Sequence, residues 1–149
     1  MSLMLGNQYF MARKYSEALK ELAEYFNHNP QDKGTHRKLI ICYAMAGKLN
    51  SALNLFLSLV SSDIDFILEA DPIRDDCPCP EIVYDLENDA NYDKNSPANF
   101  KNLGILWLYC DLNKSIENFE KAIEMDKNDP TVKSILTHLN AKKSSIKNK

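Results

Sequence analysis

The sequence predicts an all-α protein in which three helix pairs stack on one another and a C-terminal helix covers the end of the stack. A pattern of aromatic and aliphatic residues recurs with a period of about 34 residues. Within each copy, the apolar residues follow helical spacing. The chain has only four glycines among 149 residues. Because glycine and proline are the main helix breakers and the prolines are mostly clustered, long stretches of uninterrupted helix are expected.

The repeat emerges when the chain is compared with itself at that offset. The first two copies then pair Tyr9 with Tyr43, Ala18 with Ala52, Leu22 with Phe56, and Tyr25 with Leu59. In the third copy, which follows an insertion, Trp107 takes the place of Tyr43. The second half of this copy pairs Leu112 with Leu49 and Phe119 with Phe56. The copies cover about residues 1–32, 33–62 and 98–128, and a fixed period in this range indicates stacked supersecondary units.

Each copy is predicted to contain two amphipathic helices. In the second copy, the two apolar stripes are Leu39, Ile40, Tyr43 and Ala46, then Ala52, Leu55, Phe56 and Leu59. The second helix of each copy is preceded by Ser16, Asn50 or Asn113, which are predicted N-caps. Residues 130–142 are predicted to form the capping helix, with Val132, Ile135 and Leu139 on its apolar face. Residues 144–149 are expected to be a disordered tail.

At these positions the chain resembles the tetratricopeptide repeat family. The first copy supplies Leu5-Gly6, Tyr9, Ala18, Leu22 and Pro30; the second Leu39, Tyr43, Ala52 and Phe56; the third Leu103-Gly104, Trp107, Phe119 and Ala122. Tyr25 and Leu59 depart from the family's small residue, and Ile40 stands in place of its glycine. The resemblance implies antiparallel helix pairs in a short right-handed superhelix, forming a single domain over residues 1–143.

The resemblance also implies a function, because in this family the first helix of each pair lines a concave groove that binds another protein. The groove positions carried over to this chain are Asn7, Phe10, Met11, Arg37, Lys38, Ile41, Met45, Lys101, Asn102, Ile105 and Tyr109. Asparagine amides can pair with a peptide backbone, and the three cations favour acidic partners. The chain is therefore expected to be a non-enzymatic scaffold or adaptor that binds a peptide segment or a small domain, with a preference for acidic ones.

An acidic insertion separates the second and third copies. Residues 63–97 hold eleven acidic and two basic residues, a net charge of −9, whereas the rest of the chain carries +6. Residues 63–70 can extend the preceding helix, and Asp71-Pro72 is expected to stop it. The Cys-Pro-Cys-Pro run at 77–80 is expected to be irregular, and residues 81–86 to be a short turn or strand. Order and disorder both stay open for this segment, as does the hypothesis that it lies across its own basic groove.

Two alternatives to the adaptor function remain. The chain could be a self-associating structural subunit, that is, a homo-oligomer. It could instead depend on a metal or on thiol chemistry at Cys77 and Cys79, although a closed zinc site needs further ligands that the sequence does not supply nearby. No catalytic residue and no cofactor is predicted, because the three histidines are scattered and lack a nucleophile beside them. The charge balance argues against nucleic acid. Without an evident export signal or membrane segment, a cytoplasmic location is expected.

Overall fold

The computed structural model describes residues 3–75, 77–89 and 94–147, and every regular secondary-structure element within these ranges is an α-helix. The all-α class is therefore confirmed. In chain order the helices are α1 (Leu3–Met11), α2 (Tyr15–His28), α3 (Lys33–Met45), α4 (Leu49–Leu68), α5 (Cys79–Asn88), α6 (Pro97–Trp107), α7 (Leu112–Met125) and α8 (Pro130–Lys147).

Polar residues just before several helices explain where those helices begin. The side chain of Asp32 accepts a hydrogen bond from the backbone nitrogen of Thr35 and caps α3. Ser96 caps α6 in the same way. Asp111 and Asp129 accept bonds from the first backbone N–H groups of α7 and α8. Each cap satisfies donors that have no partner inside the helix.

The predicted caps at the second helices were wrong. Ser16, Asn50 and Asn113 each occupy the second position inside α2, α4 and α7. The residue before α2 is Lys14, which makes no side-chain capping bond, and the cap of α7 is Asp111. At the start of α7 the sequence has two good capping residues, Asp111 and Asn113, within three positions of each other. The backbone geometry shows that Asp111 is the one that caps the helix.

The chain divides into two compact units, residues 1–59 and 60–149, and the division falls within α4. The predicted single domain over residues 1–143 did not anticipate this division. In the first unit, α1 packs against α2 and α2 against α3. Its core includes the fully buried side chains of Phe10, Leu22, Leu39 and Phe56. The imidazole of His36 on α3 contacts the carbonyl oxygen of Leu55 on α4 at 2.8 Å.

In the second unit, α5 packs against α6, α6 against α7, and α7 against α8. Leu106, Phe119 and Ile135 are fully buried and come from three successive helices. The hydroxyl of Ser115 on α7 donates a 2.6 Å hydrogen bond to the carbonyl oxygen of Gly104 on α6. This bond compensates for burying a polar side chain in an apolar contact.

The same close helix contact recurs in both units. A Cβ atom on Gly6 of α1 would lie 2.7 Å from Leu22 of α2. A Cβ atom on Gly104 of α6 would lie 2.7 Å from the ring of Phe119 on α7. Gly6 and Gly104 occupy equivalent positions of the sequence repeat, and so do Leu22 and Phe119. In the first and third copies, the repeat therefore corresponds to a repeated packing contact that leaves no room for a Cβ atom.

The acidic insertion contains more helix than the sequence predicted. As expected, helical structure extends beyond residue 63 to Leu68, but a kink at Asp63, whose backbone angles are non-helical, divides α4 into two helical stretches. The expected turn or strand at residues 81–86 is instead part of α5, which also includes Cys79 and Pro80. Proline is tolerated in the first helical turn because its missing N–H would have no intrahelical acceptor there. Ile82 and Val83 are buried, so this part of the insertion is ordered and packed.

The C-terminal helix is longer than predicted. α8 begins at Pro130, as expected, but extends to Lys147 rather than ending near residue 142. The expected disordered tail therefore begins inside a helix, and residues 148 and 149 lie outside the described part of the chain. Val132, Ile135 and Leu139 are buried, in agreement with the predicted apolar face.

Within the described residues, α4 is long and apolar enough to cross a membrane by length and composition. It has 20 residues, and its most apolar stretch has a mean hydropathy of 1.4. The core helix of a soluble protein passes the same test, and this helix contains Asp63 and Asp65. The absence of a membrane segment therefore stays a prediction.

Candidate binding surfaces

Seven predicted groove residues lie on α1 and α3, and a hydrogen bond joins these two helices. The ammonium of Lys38 donates to the side-chain oxygen of Asn7 at 3.0 Å and lies 5.5 Å from the ring centroid of Phe10. Met11 is one helical turn from Asn7, and Met45 two turns from Lys38, so each pair shares a helix face. Asn7, Met11, Lys38 and Met45 together are called the Lys38 surface below. Met11 is 62 % exposed, and the other three are half-buried.

Other predicted groove residues are buried. Phe10 is fully buried, and Ile41 on α3 is 1 % exposed. Arg37 is only 9 % exposed, so its guanidinium belongs largely to the interior. Ile105 and Tyr109 of the third copy are buried as well. These five side chains support the fold in the described conformation, and their direct contact with a partner stays a prediction.

The third predicted cation, Lys101 on α6, is held by acidic residues next to the start of α8. Its ammonium lies 2.6 Å from a carboxylate oxygen of Asp129 and 3.8 Å from one of Asp126. Burial raises the pKa of Asp129, but the hydrogen bonds from Lys101 and from the backbone of Val132 and Thr131 outweigh it, and the net pKa is lowered. Lys101 thus stabilises the capping residue of α8.

Two asparagine side chains on α6 have buried oxygen atoms, and nothing in the sequence indicated this burial. Within the described part of the chain, the Oδ1 atoms of Asn99 and Asn102 are buried without a hydrogen-bonding partner. Asn102 was a predicted groove residue, whereas Asn99 was not. Leaving a buried acceptor unpaired costs about 1–3 kcal/mol.

Asn99 also lines a cavity of about 280 Å³ between α5, α6 and α7. The amide nitrogen of Asn99 donates to the carbonyl oxygen of Lys94 at 2.8 Å. Lys121, on the opposite wall, lies 5.6 Å from the ring centroid of Phe100. Sequence reasoning missed this cavity because its walls combine α5, which lies inside the acidic insertion, with α6 and α7 of the third copy. The predicted third-copy groove residues do not line it.

A second cavity, of about 310 Å³, lies in the first unit. Its lining comes from α2, α3 and α4 and includes Phe26, Leu39, Tyr43 and Leu55. None of the predicted groove residues lines it. Because its lining residues are uncharged, it offers less specificity for an acidic ligand than the Lys38 surface does.

Two of the histidines contact backbone carbonyl oxygens. His36 is buried beside the ring of Phe26, and burial lowers its pKa, although the contact with the carbonyl oxygen of Leu55 acts in the opposite direction. His28 contacts the carbonyl oxygen of Glu24 on its own helix. Among the described residues, no group of three or more His, Cys, Asp or Glu side chains could hold a metal ion.

The cysteines differ in their surroundings. Cys77 and Cys79 are both buried, and the thiol of Cys77 donates to the sulfur of Cys79 at 2.9 Å. Burial raises the pKa of Cys42 to about 12, against an opposing effect of Lys38. Burial, together with the charges of Cys77 and Asp111, raises the pKa of Cys110 to about 11. Cys110 is exposed and follows α6.

No protein-family model, no curated protein and no solved structure matches this chain.

Proposed function

We propose that this protein is a non-enzymatic scaffold of tetratricopeptide-like helix pairs, which binds an acidic peptide segment or small domain of another protein in the cytoplasm. The observation that carries the proposal is the hydrogen bond of 3.0 Å between Lys38 and Asn7. It joins the first helices of the first two sequence copies, the helices on which a groove would lie.

The repeated glycine contacts support the helix-pair part of the proposal. Gly6 and Gly104 let the first helix of a copy approach the second until backbone meets side chain. In the second copy, Ile40 holds the position equivalent to these glycines, and Phe56 holds the position equivalent to Leu22 and Phe119. A stack of copies built in this way buries a continuous core only when neighbours are present, and its exposed first-helix faces can bind an extended ligand.

The chemistry of the Lys38 surface supports an acidic ligand. The bond to Asn7 fixes the position of the positive charge of the Lys38 ammonium. The amide of Asn7 can in turn pair with a peptide backbone. The adjacent side chains of Met11 and Met45 are flexible and polarisable, and such residues adapt to varied apolar partners.

The test is selection from a random-peptide display library by the purified full chain, followed by calorimetry on enriched peptides. We expect enrichment of peptides containing Asp or Glu. Lys38→Glu should weaken their binding by about tenfold or more, because like charges would then face each other. Lys38→Gln should have a smaller effect. Lys20→Glu changes the net charge equally at an exposed position of α2, and it should bind like the original chain.

Two results would count against the proposal. The first is an absence of enriched peptides, and the second is equal binding by the Lys38→Glu and Lys20→Glu variants. Sedimentation equilibrium on the same samples separates the main alternative. If the chain forms a stable dimer that Lys38→Glu dissociates and Lys20→Glu does not, the surface is a self-association site instead.

A further inference from the structure

The Cys77–Cys79 pair is the strongest unassigned feature of the described structure. Cys79 is the first residue of α5, and Pro78 immediately precedes the helix. Cys77 is 7 % exposed and Cys79 is fully buried. Their sulfurs are 2.9 Å apart, and Cys77 donates its thiol hydrogen to Cys79. Because a proline with a restricted backbone separates them, their approach is built into the start of the helix.

The distance between the sulfurs distinguishes two kinds of chemistry. Two thiolates on one tetrahedral zinc ion, with bonds of about 2.3 Å, have sulfurs about 3.8 Å apart. A disulfide bond holds its sulfurs about 2.05 Å apart. The sulfurs here are closer together than two zinc ligands would be. The described residues also supply no third His, Cys, Asp or Glu in a metal-binding group. The separation of 2.9 Å lies between these two values. Because the described residues supply no further metal ligand, bond formation between the two sulfurs is the chemistry that the pair can carry out by itself.

We propose that Cys77 and Cys79 form a reversible dithiol–disulfide site, which a low-molecular-weight disulfide such as glutathione disulfide oxidises by thiol–disulfide exchange. Cys77, the more exposed sulfur, gives up its proton and attacks one sulfur of glutathione disulfide. The bond between the two glutathiones breaks, and one leaves as a thiolate that takes up a proton. Cys79 then loses its proton and attacks the sulfur of Cys77, and the second glutathione leaves in the same way.

This reaction is balanced. The two protein thiols lose two electrons and two protons, and glutathione disulfide gains both to become two molecules of glutathione. A disulfide between residues two positions apart is strained and hence readily reduced. Excess glutathione should therefore restore the dithiol. Such a site suits a reducing compartment, where disulfides are typically transient.

Of the other two cysteines, Cys42 is buried and Cys110 is exposed, so Cys110 is the more accessible competitor of the pair. The thiolate is the nucleophile in exchange, and burial raises the pKa of Cys42 to about 12. The pKa of Cys110 is raised to about 11. Because the charge of Cys77 affects Cys110, the pairing of Cys77 with Cys110 is the alternative that an experiment must distinguish.

The test equilibrates the full chain with mixtures of reduced glutathione and glutathione disulfide, quenches it with acid, alkylates remaining thiols in denaturant and digests with trypsin. Cleavage after Arg74 and Lys94 yields one peptide that contains Cys77 and Cys79 and neither other cysteine. We expect this peptide to lose two hydrogens and to escape alkylation, while Cys42 and Cys110 remain alkylated. The Cys42→Ser, Cys110→Ser double variant should oxidise like the original chain.

Comparison with a synthetic peptide of residues 75–94 measures how much the folded structure favours formation of the disulfide. Because the native structure holds the sulfurs together, the full chain should form the disulfide with an equilibrium constant about tenfold or more above that of the peptide. Equal constants would overturn the proposal. So would a bond between Cys77 and Cys110, a persistent glutathione adduct on one cysteine, or tightly bound zinc that protects both thiols from oxidation.

Discussion

Single atoms decide how closely the helices of this protein approach. The absent Cβ atom of Gly104 leaves room for the ring of Phe119, whose nearest atoms would lie 2.7 Å from it. Ser115, one turn before Phe119, donates to the carbonyl oxygen of the same glycine. The Leu-Gly pairs in the first and third copies were visible in the sequence, and their role follows from this contact. At the same scale, Lys101, a predicted groove residue, pairs with Asp129, and its contact with a partner stays a prediction.

We expect Gly104→Ala to destabilise the protein by about 1–3 kcal/mol, because the added methyl group overlaps a fully buried ring in a close-packed core. Denaturant unfolding followed by circular dichroism measures this change. Gly34→Ala is the matched control, since the nearest atom to its Cβ position is 3.4 Å away and belongs to the side chain of Asp32. The control should leave stability unchanged or raise it by up to about 1 kcal/mol. Equal effects of the two substitutions would contradict the packing argument.

At the scale of single helices, the sequence pattern located most helices correctly but did not determine every helix start. The period of apolar residues located the helices of all three copies, because a helix brings residues three and four apart onto one face. It placed the cap of α7 too late in the chain, since Asp111 and Asn113 are both good capping residues. It also missed α5, because two prolines in the Cys-Pro-Cys-Pro run resemble a loop, although Pro80 occupies the first helical turn.

The capping assignment is testable at α7. Asp111→Ala should cost about 1 kcal/mol, since it removes the acceptor for the backbone N–H groups of Asn113 and Lys114. Asn113→Ala should change stability by less than about 0.5 kcal/mol, because this residue is exposed within the first turn. Thermal unfolding of both variants at one pH gives the comparison. If Asn113→Ala loses more stability than Asp111→Ala, then Asn113 is the cap, as the sequence pattern suggested.

Charge is unevenly distributed over the whole molecule. Residues 63–97 carry a net charge of −9 and the remainder +6, within a total of −3. The helix α5 in this segment exposes Asp85 and Glu87 to solvent, while its Ile82 and Val83 are buried. Deleting the segment would therefore remove part of the core. The effect of the acidic segment on the binding of acidic ligands should therefore be measured by neutralising its exposed side chains.

The double variant Asp85→Asn, Glu87→Gln is expected to increase the association rate of acidic peptides about two- to threefold at low salt, because it weakens a repulsive field. The increase should vanish near 1 M salt, where charges are screened beyond about 3 Å. Stopped-flow binding measures the rates. The control is Glu17→Gln, Glu24→Gln, with the same charge change at exposed positions of α2. Equal increases for both variants would show that net charge acts and that the acidic segment has no separate role.

The sequence by itself determined the all-α class, the positions of the repeated helices, the start of α8 at Pro130 and the segregation of charge. These depend on residues within a few turns of one another, so their pattern is readable along the chain. The tertiary structure alone decided that Ile41, Ile105 and Tyr109 are buried and that Lys101 pairs with Asp129. Each of these depends on how separate helices pack, and helical periodicity fixes the face a residue occupies but leaves open what that face meets.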